Sequence, residues 1–182
     1  FEGAEVSTPE FTPPAVVVIG APGHDGGAGA AFVYMAADGT SPDWTAETLL
    51  VPDASATSSF GQSVAIFGDV IAVGGTNSSG GVVCIYRYGG AGNWSFDDAL
   101  MASDASPDDS FGFSLSLYRD LTSSFEAVLL VVGAPDSSAV YLKVFDPRSE
   151  TWAENSKLTS TSGSDIQFGY SVSCYEGTVA VG

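Results

Sequence analysis

One dipeptide recurs in this chain together with its surroundings. Phe60-Gly61 opens a strand-like run that closes on Val73-Gly74. Phe111-Gly112 opens a second run, which closes on Val132-Gly133-Ala134-Pro135. Phe168-Gly169 opens a third, ending at Val181-Gly182, and Ile19-Gly20-Ala21-Pro22 closes an earlier copy. The Phe-Gly pairs stand 51 and 57 residues apart. All-strand repeats of roughly 50 residues mark propellers and similar arrays, where each unit buries its faces on its neighbours.

A second set of landmarks keeps the same register. Trp44, Trp94 and Trp152 are each followed six residues later by a leucine: Leu50, Leu100 and Leu158. The next Phe-Gly follows after 10, 11 and 10 residues. Short runs rich in β-branched residues, bounded by Gly, Pro, Asn and Asp, place the strands. They fall at 16–19, 31–35 and 44–50 in a first unit, and at 61–67, 70–74, 82–88 and 94–100 in a second. A third unit has 112–117, 127–132, 139–145 and 152–158, and a fourth has two strands. Gly68-Asp69 is a tight hairpin turn, and the matching hairpin of the third unit is longer, carrying residues 118–126. No stretch of helical length has a 3.6-residue period, so essentially no helix is expected.

The expected fold is all-β, a propeller of four-stranded antiparallel blades in a partial ring of about three to four. The boundaries are 1–15 as loop or remnant strand, 16–59 as a blade lacking a clear first strand, 60–110 and 111–167 as complete blades, and 168–182 as the start of another. Phe60, Phe111 and Phe168 should fill the seams between blades, with the following glycine permitting close backbone approach. Each Trp and its Leu should cover the outer strand. Beginning at Phe and ending mid-repeat, the chain reads as a piece of a longer protein with two unprotected faces.

The chain carries 22 Asp and Glu against 5 Lys and Arg, a formal charge of -17. That argues against nucleic acid or an anionic membrane surface, both of which need clustered cations. The acidic loops read as solvated, with cation binding as the sharper reading. The longest apolar runs, 15–19 and 127–132, are too short to insert in a bilayer. Cys84 and Cys174 occupy different repeats and different strand positions, which reads as two buried free thiols rather than a bridge.

The residues Phe60-Gly61, Phe111-Gly112 and Phe168-Gly169, with Gly20-Ala21-Pro22, Gly133-Ala134-Pro135 and the degenerate Gly74-Gly75-Thr76, resemble the FG-GAP repeat of integrin α-subunit propellers and many extracellular proteins. The resemblance covers roughly residues 16–182. It implies a radial propeller, commonly of seven blades, an extracellular or cell-surface location, and a non-catalytic role in adhesion or protein binding. Partners would be a protein ligand or a cell-surface or matrix component. Many FG-GAP blades carry a calcium loop between their first two strands. Such a loop needs several oxygen ligands at alternate positions, which Gly68-Asp69 and residues 118–126 do not supply. No cofactor is therefore expected in these blades, though calcium remains open in others.

His24 is a lone loop histidine without triad or zinc partners. Asp104, Asp108 and Asp109 precede Phe111, and Asp53 stands where Asp104 does, seven residues before its own Phe. They read as turn-forming or solvated side chains, with a weak divalent-cation or basic-ligand site as the alternative. No catalytic residue is identified. Loops joining second to third strands, and blade to blade, share one propeller face. By the integrin resemblance that face is the ligand face, here with Asp25, Asn77, Asp53, Asp108 and Asp136. These loops hold no aromatic platform, which disfavours sugar stacking. Asn77-Ser78-Ser79 and Asn93-Trp94-Ser95 are N-glycosylation sequons, and Asn77 is the better candidate because Trp94 should be committed to packing. Two other readings stand beside adhesion: the scaffold of a secreted or surface enzyme with its catalytic residues elsewhere, and a structural surface-layer repeat.

Overall fold

A computed structural model describes residues 15–36, 44–51, 58–119, 127–161 and 167–182, with only the backbone of 45–47. The strands gather into four antiparallel sheets, each in chain order. The first blade holds β1 (Val16–Ala21), β2 (Ala30–Ala36) and β3 (Trp44–Leu50). The second holds β4 (Ser58–Phe67), β5 (Val70–Thr76), β6 (Val82–Tyr88) and β7 (Trp94–Leu100). The third holds β8 (Ser114–Arg119), β9 (Val128–Ala134), β10 (Ala139–Asp146) and β11 (Thr151–Thr159). The hairpin of β12 (Val172–Tyr175) and β13 (Thr178–Val181) begins the fourth. Helical turns among the described residues are two short 3-10 segments, His24–Gly27 and Pro135–Ser137. This is an all-β partial propeller.

The blades share one register. Gly20 pairs with Ala31 and Ala31 with Leu50. Gly74, Val83 and Leu100 form the same row in the second blade, and Gly133, Val140 and Leu158 in the third. Each outer pair carries a register shift, between Met35 and Ala36, Ile85 and Tyr86, and Leu142 and Lys143. An extra residue of this kind increases the strand twist, as stacked blades require.

The seams explain the Phe-Gly motif. β4 runs beside β8, and β8 beside β12. Phe60 and Phe111 are 0 % and 1 % exposed, and burying a ring this size contributes roughly 1.5–3 kcal/mol. Phe168 is only half-buried, because the chain places two strands in its blade. A Cβ on Gly20, Gly74 or Gly133 would fall on the carbonyl oxygen of Gly61, Gly112 or Gly169 respectively. The glycine that ends one motif thus lies against the glycine that opens the next. Ser63 pairs with Gly74 in its own blade and donates its hydroxyl to the Gly112 carbonyl at 2.5 Å. Ser114 pairs with Gly133 and donates to the Gly169 carbonyl at 2.8 Å. The serine two residues after Phe-Gly therefore belongs to the motif, a role the sequence reading did not assign.

Two packing expectations need correction. Trp94 is buried on Tyr88, with ring centroids 5.2 Å apart, and Trp152 lies 5.4 Å from Phe145. Trp44, however, is 42 % exposed, because Ala36 stands opposite it where the other blades place an aromatic ring. Leu158 is also exposed, unlike Leu50 and Leu100. Neither cysteine forms a disulfide, and only Cys84 is buried. The half-buried Cys174 thiol contacts Ser116 Oγ at 3.2 Å, and burial raises its pKa above the ordinary thiol value.

Candidate functional site

The loops between second and third strands, 22–29, 77–81 and 135–138, lie at one end of the blades with the linker 101–110. Backbone bonds fix the first two loops across the seams. Phe60 N donates to Ala28 O at 3.1 Å, and Phe111 N donates to Gly80 O at 2.7 Å. Gly29 bridges Phe60, and Gly81 bridges Phe111. Loops 22–29 and 77–81 are thus each held by the Phe-Gly strand of the next blade, so this part of the surface is anchored by the seam motif itself.

Most polar side chains on this face serve the loops. Asn77 Oδ1 accepts from Ser79 N at 2.9 Å and from Gly81 N at 3.0 Å, closing an Asx-type turn. Asp109 Oδ2 accepts from Ser106 N at 2.7 Å, and Asp136 accepts from the Ser110 hydroxyl. Asp25 and Asp108 are exposed. His24 sits edge-on to Phe32, with ring centroids 5.7 Å apart. Asp53 lies outside the described residues.

Asp104 has a different role from its neighbours Asp108 and Asp109. It accepts from Lys157 at 2.6 Å and from the Tyr141 hydroxyl at 2.8 Å. The bonds from Lys157 and Tyr141 hold its carboxyl below the ordinary carboxylate value. The same contact with Asp104 raises the Lys157 pKa. Next to it, Lys143 Nζ donates to Met101 O and to Glu154 Oε2, both at 2.8 Å. Glu154 also accepts from the Ser103 hydroxyl at 2.7 Å. Burial pushes the Glu154 pKa up, but the bonds from Lys143 and Ser103 outweigh it and the net shift is downward. Asp104 therefore straps the linker to the third blade. The three aspartates do not converge on one point, and among the described residues no three His, Cys, Asp or Glu side chains are grouped to hold a metal ion.

At the opposite end, Asp69 of the Gly68-Asp69 turn pairs with Arg119 of the next blade at 2.5 Å and lies 4.0 Å from Arg87. Arg87 pairs with Asp97 at 2.8 Å and stacks over the Phe145 ring at 4.0 Å. The carboxylate in this hairpin is committed to arginine. Residues 120–126 of the longer hairpin lie outside the described residues.

An aromatic pair was missed in the sequence because it belongs to strand mouths rather than loops. Phe113 and Tyr170, each directly after a Phe-Gly pair, lie 4.8 Å apart, and Tyr170 is 54 % exposed. The signal that marks them is position: each follows the recurring glycine by one residue. Of the two sequons, Asn93 is exposed at the turn between β6 and β7, while Asn77 is half-buried on the loop face.

No helix among the described residues is long and apolar enough to cross a membrane. Comparison with curated proteins returns no match. Residues 44–83 match the family model of the FG-GAP repeat, a span running from Trp44 in the first blade to Val83 in the second and so containing the Phe60-Gly61 motif. The Gly20/Gly61 contact recurs at Gly74/Gly112 and Gly133/Gly169, so the matched FG-GAP repeat lies within an arc of propeller blades of one design.

Proposed function

We propose that this arc is a non-catalytic, extracellular protein-interaction module, and that it meets a protein of the cell surface or matrix through loops 22–29, 77–81 and 135–138 and the linker 101–110. The observation that carries this reading is that loops 22–29 and 77–81 are fixed across the seams by backbone bonds, Phe60 N to Ala28 O and Phe111 N to Gly80 O. A rigid scaffold presenting loops at one end is a binding arrangement. Charge supports it. Arg87, Arg119, Lys143 and Lys157 are all paired with carboxylates of this chain. The unpaired charge at the loop face is therefore acidic, with Asp25 and Asp108 exposed, and suits a basic patch on the partner.

The test uses beads coated with the chain and their attachment to cell monolayers. Asp25→Lys with Asp108→Lys should lower attachment about tenfold, equivalent to roughly 1.4 kcal/mol. Glu150→Lys, at the exposed turn on the opposite end, should leave it unchanged. Equal losses from both ends, or no attachment by the unmodified chain, would overturn the reading.

A further inference from the structure

We propose that Asn77 is an N-glycosylation site. The sequon Asn77-Ser78-Ser79 occupies the loop between β5 and β6, and both serines are exposed. Backbone N–H groups only donate, so the bonds from Ser79 N and Gly81 N identify the bonded end of the Asn77 amide as its oxygen. Nδ2 is the end left over for chemistry. Two donors on the amide oxygen draw electron density from Nδ2 and ease the loss of its proton. In the transfer, Nδ2 forms a bond to C1 of an oligosaccharide carried on a polyprenyl diphosphate. The C1–O bond to the diphosphate breaks, the polyprenyl diphosphate departs, and the Nδ2 proton passes to a basic side chain of the transferase. Both turn bonds span four residues or fewer, so they are made within the loop itself.

Asn93 has the same sequence signature but a different setting. Its Trp94 is buried against Tyr88. Its own backbone is held on both sides, Gly89 N donating to Asn93 O at 2.9 Å and Asn93 N to Gly90 O at 3.0 Å. Presenting that sequon in an extended active site would mean withdrawing an indole from the core. A glycan on Asn77 would stand on the second blade's sector of the loop face, so that within the surface proposed above the sugar covers 77–81 and direct protein contact falls to loops 22–29 and 135–138 and the linker 101–110. This consequence rests on the extracellular reading above.

The experiment is cell-free translation of the full chain behind a grafted leader in the presence of microsomes, followed by peptide N-glycosidase digestion and peptide mapping. The expected result is one glycan, with Asn77 converted to Asp on its removal. Ser79→Ala should abolish the mobility shift while keeping both turn bonds, since these use backbone nitrogen. Asn93→Gln should leave the shift intact. An unmodified chain, or a glycan mapped to Asn93, overturns the assignment. The grafted leader separates this chemistry from native sorting: finding the native protein inside cells would defeat the extracellular reading and leave the Asn77 result standing.

Discussion

The second and third blades solve one packing problem with different chemistry. Tyr86 and Lys143 occupy the same position, three residues beyond the partner of the seam glycine. Each reaches back across its seam to the carbonyl that follows the preceding blade's Trp-to-Leu strand. Tyr86 donates its hydroxyl to Val51 O at 2.7 Å, and Lys143 donates to Met101 O at 2.8 Å. Each also lies over the seam phenylalanine, Tyr86 edge-on to Phe60 at 6.3 Å and the Lys143 ammonium 5.7 Å from the Phe111 ring. On the neighbouring strand Phe96 faces Tyr86, where Glu154 faces Lys143. The phenol carries no charge and needs only an aromatic neighbour. The ammonium is 7 % exposed and needs a carboxylate. One seam is thus neutral and the other is ionic, on the same backbone.

The largest expected effect strikes what the two seams share. Gly20→Ala or Gly74→Ala would set a methyl on the carbonyl oxygen of Gly61 or Gly112. Backbone on both sides leaves nothing flexible to yield, so each should cost about 3 kcal/mol or more. In a thermal melt that is roughly 6–12 °C for a chain of this size. Gly23→Ala, with nothing near its Cβ, should be neutral. A tolerant Gly74 would mean that the seam is not held by backbone contact.

The next effect separates the seams. Glu154→Ala leaves the Lys143 ammonium with one carbonyl and a ring face, and should cost on the order of 2 kcal/mol at neutral pH, less than a fully buried pair because Glu154 is partly exposed. Transplanting the neutral solution, Lys143→Tyr with Glu154→Phe, should recover most of that loss. The deficit of Glu154→Ala should also depend on pH. The folded Glu154 pKa lies below its ordinary value, so its contribution is complete above the unfolded value and is lost as pH falls through the folded one. Melts of the two proteins should therefore begin to converge only as pH falls below the ordinary glutamate value of about 4.3. A deficit that stays constant through that range would remove the ionic account of this seam.

The blade order and nearly all strands are legible in the sequence because Phe-Gly, Trp and Leu repeat in one register, and register is set by local pattern. β4 begins at Ser58 and β9 ends at Ala134, a few residues beyond the apolar runs, because strand ends here are fixed by pairing with Thr76 and Ala139 rather than by composition. The candidate site was less legible. Asp104, Asp108 and Asp109 read alike along the chain, yet only Asp104 faces Lys157 and Tyr141 from the next blade, a pairing across 37 or more residues. Nor does sequence show that Tyr86 and Lys143 are equivalent, since that follows from their pairing partners and not from residue type. Ser63 and Ser114 could have been found by extending the Phe-Gly motif two residues.

The smallest effect probes the neutral seam. Tyr86→Phe removes the bond to Val51 O while leaving the ring that packs on Phe60 and Phe96. A neutral hydrogen bond contributes about 0.5–1.5 kcal/mol, and Val51 is 54 % exposed, so water can replace the lost donor. The loss should sit at the low end, roughly 0.5–1 kcal/mol, or about 1–4 °C in a melt, with no change between pH 7 and pH 4 because no charge is involved. That flat profile is the discriminating feature. If Tyr86→Phe were as costly as Glu154→Ala, the hydroxyl and not the ring would be holding the first seam, and the two blades would differ in partner but not in mechanism.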